Sequence, residues 1–248
     1  GLTTYSLNTR AAGQIPGEQL QSVRAGVRTF ALPVQIEGDT EAEIDERLGW
    51  LGQVLDPGRE IRVQYRRPDG TEREISALYA GGADSVSATA DAGNLQRRVI
   101  VPLIMKALWP FWRPVADPVT TEGPVTFTDR DFDIVTLTNG GDVDAWPEIT
   151  VTGHADGIEA VNLTTGKVWR VRRIIGLADV LRIDTDPRSF GVWVNDVPDH
   201  PAMDPLSQLP EWHLVPGDNV LLVRGNTTIG DEPIGSILFR WRPQFGSC

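Results

Sequence analysis

The sequence predicts two domains of different class. An α+β domain, one helix on an antiparallel sheet, covers residues 1–112, and an all-β sandwich or barrel of the jelly-roll kind covers residues 113–248. Three observations predict this. Helical periodicity occurs once, between Thr40 and Leu55, and is flanked by period-two alternation. The second half consists of many short alternating runs separated by turn residues. The charge divides at the aromatic and proline cluster Leu108-Trp109-Pro110-Phe111-Trp112: residues 1–112 carry 12 basic and 14 acidic side chains, net −2, while residues 113–248 carry 11 and 20, net −9. The segment Ala116–Gly123 after this cluster reads as a connector.

In the first domain, Phe30, Leu32, Val34 and Ile36 alternate with Ala31, Pro33 and Gln35 as a half-buried strand, with Pro33 marking an edge or an irregularity. Thr40 and Glu43 have capping-box spacing. Ile44, Leu48, Leu51 and Leu55 then fall on one helical face, and Glu41, Asp45 and Glu46 complement the positive end of the helix dipole. Pro57-Gly58 stops the helix. A hairpin follows, turning at Pro68-Asp69-Gly70. Placing Arg66 opposite Glu72 puts Gln64 opposite Glu74 and Val63 opposite Ile75, which separates polar from apolar faces. The stretch Gly81–Gly93 reads as a polar loop and Leu95–Met105 as the last strand.

The second domain offers nine candidate strands: Val125–Thr128, Ile134–Thr138, Glu148–Thr152, Gly157–Leu163, Val168–Ile174, Val180–Asp184, Phe190–Val194, Asn219–Arg224 and Ser236–Trp241. Turn signals at Asn139-Gly140-Gly141, Thr164-Thr165-Gly166, Asp186-Pro187 and Pro216-Gly217-Asp218-Asn219 separate them. This density of short strands indicates an antiparallel sandwich.

Composition narrows the function. Hydrophobic residues are 40% of the chain, enough for a buried core. A net charge of −11 disfavours a generic nucleic-acid or anionic-membrane binder, which needs positive patches. No apolar run reaches the length of a membrane span, so no membrane anchor is expected, and no signal-peptide pattern opens the chain. The chain begins on Gly1, which reads as a start inside a longer product. Its single cysteine, the terminal Cys248, reads as mobile and exposed. One thiol cannot form an internal disulfide, a cysteine zinc site or an iron–sulfur cluster, so packing alone must hold the fold, as in intracellular or virion proteins. Lys106 and Lys167 are the only lysines among 23 basic residues. The arginine excess suits bidentate carboxylate pairs and interfaces, and a GC-rich genome gives the same bias.

Templates for chemistry fail one by one. Asp129, Asp131 and Asp133 open like a calcium loop, but Ile134 stands where the sharp turn needs Gly and Gly140 where a bidentate Glu belongs. Gly166-Lys167 resembles the end of a phosphate loop, yet Val161 and Val168 replace its first Gly and its Ser/Thr. His154, His200 and His213 are dispersed, and no nucleophile elbow is present. Asp184 and Asp186 suggest a carboxylate pair, with Asp186 better suited to begin the turn before Pro187. The sequons at Asn162 and Asn226 lack any sign of a eukaryotic secreted protein. Trp146, Trp169, Trp193, Trp212 and Trp241 suit either core packing or stacking on sugar rings, and packing is the better reading for each. No catalytic, cofactor-binding or metal-ligating residue is assigned, and no cofactor is expected.

The order of elements resembles the distal tail protein of siphophages, the siphovirus-type tail component family. In the first domain the resemblance rests on Arg28-Thr29-Phe30-Ala31-Leu32-Pro33-Val34, the capped helix ending in Asp56-Pro57-Gly58, the turn Pro68-Asp69-Gly70, and Tyr79 through Leu108-Trp109-Pro110-Phe111-Trp112. In the second it rests on Asn139-Gly140-Gly141, Trp146-Pro147-Glu148-Ile149, Asn162-Leu163-Thr164-Thr165-Gly166, Leu181-Arg182-Ile183-Asp184-Thr185 and Trp212 through Val220. It departs at the start: the family carries an additional N-terminal strand stretch, and here only Gly1–Val27 precedes Arg28, so the first strand of the ring domain has no assignment.

The resemblance implies a structural, non-enzymatic protein of the virion tail tip, assembled in the bacterial host cytoplasm. It implies a homo-hexamer whose tail-tube-like first domain forms a ring and whose peripheral second domain has a galectin-like jelly roll. The implied partners are the tail tube protein and the tail-tip hub or tail-associated and receptor-binding proteins, with no specific nucleic-acid binding. The runner-up is a carbohydrate-binding β-sandwich that takes a host-surface glycan, and an enzyme ranks third.

Overall fold

The computed structural model describes residues 5–11, 18–83, 87–89, 97–116, 120–125, 132–226, 228–229, 232–233 and 235–247. The chain divides into two compact units, Gly1–Val115 with Gly246–Cys248, and Ala116–Phe245. The described residues are mostly strand, in antiparallel sheets, with one α-helix.

The first unit runs β1 (Tyr5–Ala11), β2 (Glu18–Ala25), β3 (Arg28–Gly38), α1 (Glu41–Val54), β4 (Glu60–Arg66), β5 (Glu72–Gly81), β6 (Ser87–Thr89) and β7 (Arg97–Ala107). Helix α1 begins as expected. The Thr40 hydroxyl accepts the Glu43 N–H at 3.2 Å, and the Glu43 carboxylate reaches back to the Asp39 N–H at 3.0 Å. Ile44 is buried under the helix, while Asp56 organises the stop by accepting the Gly58 N–H at 2.8 Å. The β4–β5 hairpin has the anticipated register, with Arg66 opposite Glu72, Gln64 opposite Glu74 and Val63 opposite Ile75. At its tip Gly70 takes φ +84°, and Asp69 accepts the Thr71 N–H at 2.9 Å. The Thr71 side chain and backbone together hold the Asp69 carboxyl below its ordinary pKa.

The main sheet is ordered β3-β7-β5-β4. Alternation on β7 buries Val99, Val101, Leu103, Met105 and Ala107 against Ile36, Ile75 and Ala77. Pro33 lies opposite Pro102. Neither has an N–H, so they meet at a non-hydrogen-bonded pair, where each missing donor points away from the other. On the inner side Pro102 falls between residues 104–106, which pair with β5, and 98–100, which pair with β6. The aromatic cluster closes this unit, with Phe111 and Trp112 buried and Phe30 tilted on Trp112 at 6.4 Å. Arg28 is only 2% exposed and donates to the Gly246 carbonyl, while Arg73 donates to Ser247 O at 2.5 Å. The buried Arg28 guanidinium needs an acceptor, and the chain's end supplies one. Cys248 itself lies outside the described residues.

The segment Gly1–Val27, left without an assignment, holds β1 and β2, which pair antiparallel. Three expectations are corrected. The polar stretch Gly81–Gly93 contains β6, a short strand that borrows backbone partners from β7 and needs no apolar alternation of its own. The connector Ala116–Gly123 contains part of the strand Thr120–Val125, which pairs with Ser236–Trp241 for the same reason; residues 126–128 of the expected Val125–Thr128 strand lie outside the described residues. The expected strand Val168–Ile174 ends at Arg170, because Val171 and Arg172 turn their backbones to Met203 and Ala202.

In the second unit Thr228–Ile229 pairs with Glu232–Pro233 as a separate two-stranded sheet, and the unit is built on two larger antiparallel sheets. One is ordered Phe132–Asn139, Gly217–Asn226, Asp156–Asn162, Lys167–Arg170. The other is ordered Val197–Pro198, Gly191–Val194, Val180–Asp184, Glu148–Thr152, Ser236–Trp241, Thr120–Val125. Glu148–Thr152, Val180–Asp184 and Ser236–Trp241 have the bounds expected from the sequence. One apolar core joins the sheets, centred on Trp169, Trp212 and Phe239. Trp169 meets Trp212 edge-on at 6.4 Å, and Trp212 stacks on Phe239 at 6.3 Å. Replacing Trp212 by Ala opens this centre and should cost about 3–5 kcal/mol. Urea unfolding followed by the second unit's transition measures it, and a loss below about 1 kcal/mol would contradict a core role.

Candidate functional site

The turns singled out in the sequence are organised by three buried asparagines at one end of the four-stranded sheet. Asn139, Asn162 and Asn219 are each at most 1% exposed. Asn139 donates to Val143 O (2.9 Å) and Leu214 O (3.1 Å) and accepts the Gly141 N–H at 3.0 Å. Asn162 donates to His213 O at 3.1 Å and accepts the Thr164 and Thr165 N–H groups at 3.0 and 3.2 Å. Asn219 accepts the Val215 N–H at 2.9 Å and donates to Val215 O at 2.8 Å. Together they pair with the His213, Leu214 and Val215 carbonyls and the Val215 N–H. Asn162 is therefore a packing residue and no glycosylation acceptor; Thr227 of the Asn226 sequon lies outside the described residues.

The outer face of the same sheet carries a feature that sequence reading missed. Glu159, with a side chain 9% exposed, stands directly between Arg170 and Arg224 on the neighbouring strands. It accepts from Arg170 at 3.1 Å and from Arg224 Nε at 2.8 Å. Burial pushes its pKa up, but the two guanidinium bonds outweigh burial and hold the carboxyl below its usual range. The next row across the sheet, Ile134, Leu222, Val161 and Val168, is apolar on the outside. Only cross-strand register reveals either row, and no local pattern in the sequence encodes that register.

The chemical candidates are dispersed or spent on turns. Asp129 and Asp131 lie outside the described residues, while Asp133 accepts the Ile134 N–H at 2.8 Å. Asp184 accepts the Asp186 N–H at 2.9 Å and the Ser189 hydroxyl at 2.6 Å, and Asp186 accepts the Arg188 N–H at 3.0 Å. Both carboxylates thus build the turn at Pro187. His213 engages the Glu211 carbonyl through Nδ1 at 2.8 Å and faces Asp144 through Nε2 at 3.5 Å, which leaves no ring nitrogen aimed at a nucleophile. His200 rests on Phe190, and the His154 carbonyl lies against Gly235. Among the described residues no three metal-ligating side chains converge.

The tryptophans divide. Trp169, Trp212 and Trp241 are core residues. Trp193 is partly exposed, yet the Arg182 guanidinium lies 4.0 Å from its ring centroid, and its far edge occupies the space a Cβ on Gly191 would take, at 2.2 Å. Arg182 thus already covers one face of that ring. Trp146, also partly exposed, tilts against His213 at 6.2 Å.

Among the described residues His200, His213 and the paired carboxylates Asp184 and Asp186 are engaged in turns and packing contacts. Residues 140–231, which include Asn162 and Asn219 and their turns, match the family model of the siphovirus-type tail component, C-terminal domain. By fold the chain is similar to the crystal structure of SPP1 Dit (gp 19.1), described as a paradigm of hub adsorption apparatus in Gram-positive infecting phages. The TM-score is 0.65 at 17% identity, over 99% of this chain and 90% of that one. A more distant likeness, to the phage P2 baseplate in its activated conformation with Ca, has a TM-score of 0.37 at 8% identity, covering 97% of this chain and 87% of that one. No curated protein matches the chain. The resemblance to the distal tail proteins of siphophages is thereby shown.

The Glu159 row makes stability pH-dependent with a definite sign. Its lowered native pKa adds stability above the unfolded value of about 4.3, and that stability is lost as pH falls through the native pKa. Glu159→Gln should cost about 1 kcal/mol at neutral pH, discounted because both guanidinium groups are nearly half exposed. It should also flatten the decline of the urea midpoint between neutral and acid pH. Parallel pH profiles for the two proteins would rule out this role.

Proposed function

We propose that the protein is a structural component of a phage tail tip, a hexameric ring hub that joins the tail tube to tail-tip and receptor-binding proteins. The observation that carries this reading is the family match over residues 140–231. In it, residues 1–112 form a tail-tube-like α+β ring domain and residues 113–248 form a peripheral, galectin-like jelly roll. The charge division supports the arrangement. A near-neutral ring domain packs against copies of itself, whereas outer modules of net −9 repel one another and stay solvated. Head-to-tail contacts that close into a ring need no catalytic group, cofactor or metal. The proposed place of action is the virion tail tip, after assembly in the bacterial host cytoplasm. No described helix is long and apolar enough to cross a membrane.

Light scattering with negative-stain imaging tests the reading. Rings with six-fold symmetry are expected, from the protein alone or after addition of the tail tube protein. A strictly monomeric particle under both conditions would defeat it.

An added role in glycan adsorption rests on Trp146 and Trp193, the partly exposed tryptophans of the second unit. The Arg182 contact argues against Trp193 as a stacking platform. A glycan array should therefore show no binding that Trp193→Ala abolishes, and binding lost in that variant would restore the lectin role.

A further inference from the structure

The β1–β2 ribbon pairs with no other sheet among the described residues. Tyr5 stands opposite Ala25 and Leu7 opposite Val23, and Tyr5 and Leu7, on one face by alternation, are 54% and 65% exposed. A lone two-stranded ribbon is marginal in water and needs a third surface to cover it. The same unit offers such a surface. On the outer face of β3 and β7, Ala31 lies opposite Ile104, Pro33 opposite Pro102 and Gln35 opposite Ile100. Ile100 and Ile104 are exposed, and Leu108 just past the strand is 61% exposed. This apolar stripe is flanked by the Glu37–Arg98 ion pair at 3.1 Å on one end and by Thr29 opposite Lys106 on the other. An apolar centre with a charged rim is the anatomy of a protein interface.

Among the described residues no strand pairs with the outer edge of β3, and that edge is a poorer surface. Pro33 leaves a gap in its outward row of donors, so continuous strand addition along that edge is interrupted. The face, not the edge, is what the fold leaves available.

We propose that the β1–β2 ribbon of one copy docks on the outer β3–β7 face of a second copy of this chain. The contact is heterologous, an arm on one copy meeting a different surface on the next, and repetition closes a ring. The inference rests on the ring reading and adds to it which surfaces touch.

The test uses the full chain with Cys248→Ser to remove the one native thiol. Leu7→Cys and Ile104→Cys proteins are prepared separately, mixed, and treated with a short bismaleimide. The expected result is a covalent dimer from the mixture and little from either protein alone. Ile104→Glu, and independently Ile100→Lys, should weaken assembly roughly tenfold or more in light scattering, with an unchanged circular dichroism melt. Rings that form without cross-linking would overturn this contact and leave the ring reading standing. A cross-link only within a chain carrying both cysteines would show that the arm covers its own face, which also overturns it. Absence of both rings and cross-link, with tube protein present, would remove the two together.

Discussion

The second unit depends on satisfying the backbone polar groups of one buried segment. Residues 212–215 pass the end of the four-stranded sheet, where Trp212 and Leu214 are fully buried. The His213, Leu214 and Val215 carbonyls and the Val215 N–H are at least partly buried there, and each orphan would cost about 1–3 kcal/mol. Asn139, Asn162 and Asn219 supply the missing partners, and each also closes the turn that follows or precedes it. Asparagine suits the task because one short side chain donates and accepts at once. Remove this arrangement and Trp212 loses the position from which it stacks on Phe239 and meets Trp169.

That constraint bears on function through what it leaves over. The residues that looked most like a motif in the sequence are consumed by packing and turns. Asp184 and Asp186 shape a loop, three tryptophans fill the core, and His213 is occupied on both nitrogens. Among the described residues, what remains distinctive is surface: an ionic row at Glu159 beside an apolar row, and an apolar stripe on β3–β7 with, nearby in sequence, a ribbon that pairs with no other sheet.

Much of the architecture was legible in the residues. The helix could be read because Thr40, Glu43 and the Ile44–Leu55 spacing are local signals, and the β4–β5 register because Arg66, Gln64 and Val63 leave one sensible pairing. The strands that escaped reading were those without apolar alternation. β6 and Thr120–Val125 exist because another strand offers them backbone partners. The ionic row escaped for a related reason. Glu159, Arg170 and Arg224 are far apart in the chain, and nothing local to any of them names the others.

The sequence by itself determined the capped helix, the hairpin, the turn-rich second half and the uneven charge, because each depends on short-range periodicity, turn chemistry or simple counting. It also determined the family resemblance, through the order of those pieces. Only the tertiary structure decided which tryptophans are core, that the chain's end returns to Arg28 and Arg73 of the first unit, and which apolar faces stay uncovered. Those outcomes depend on which strands become neighbours. That choice is made by packing and backbone pairing across long stretches of chain, where no residue carries a local sign of its partner.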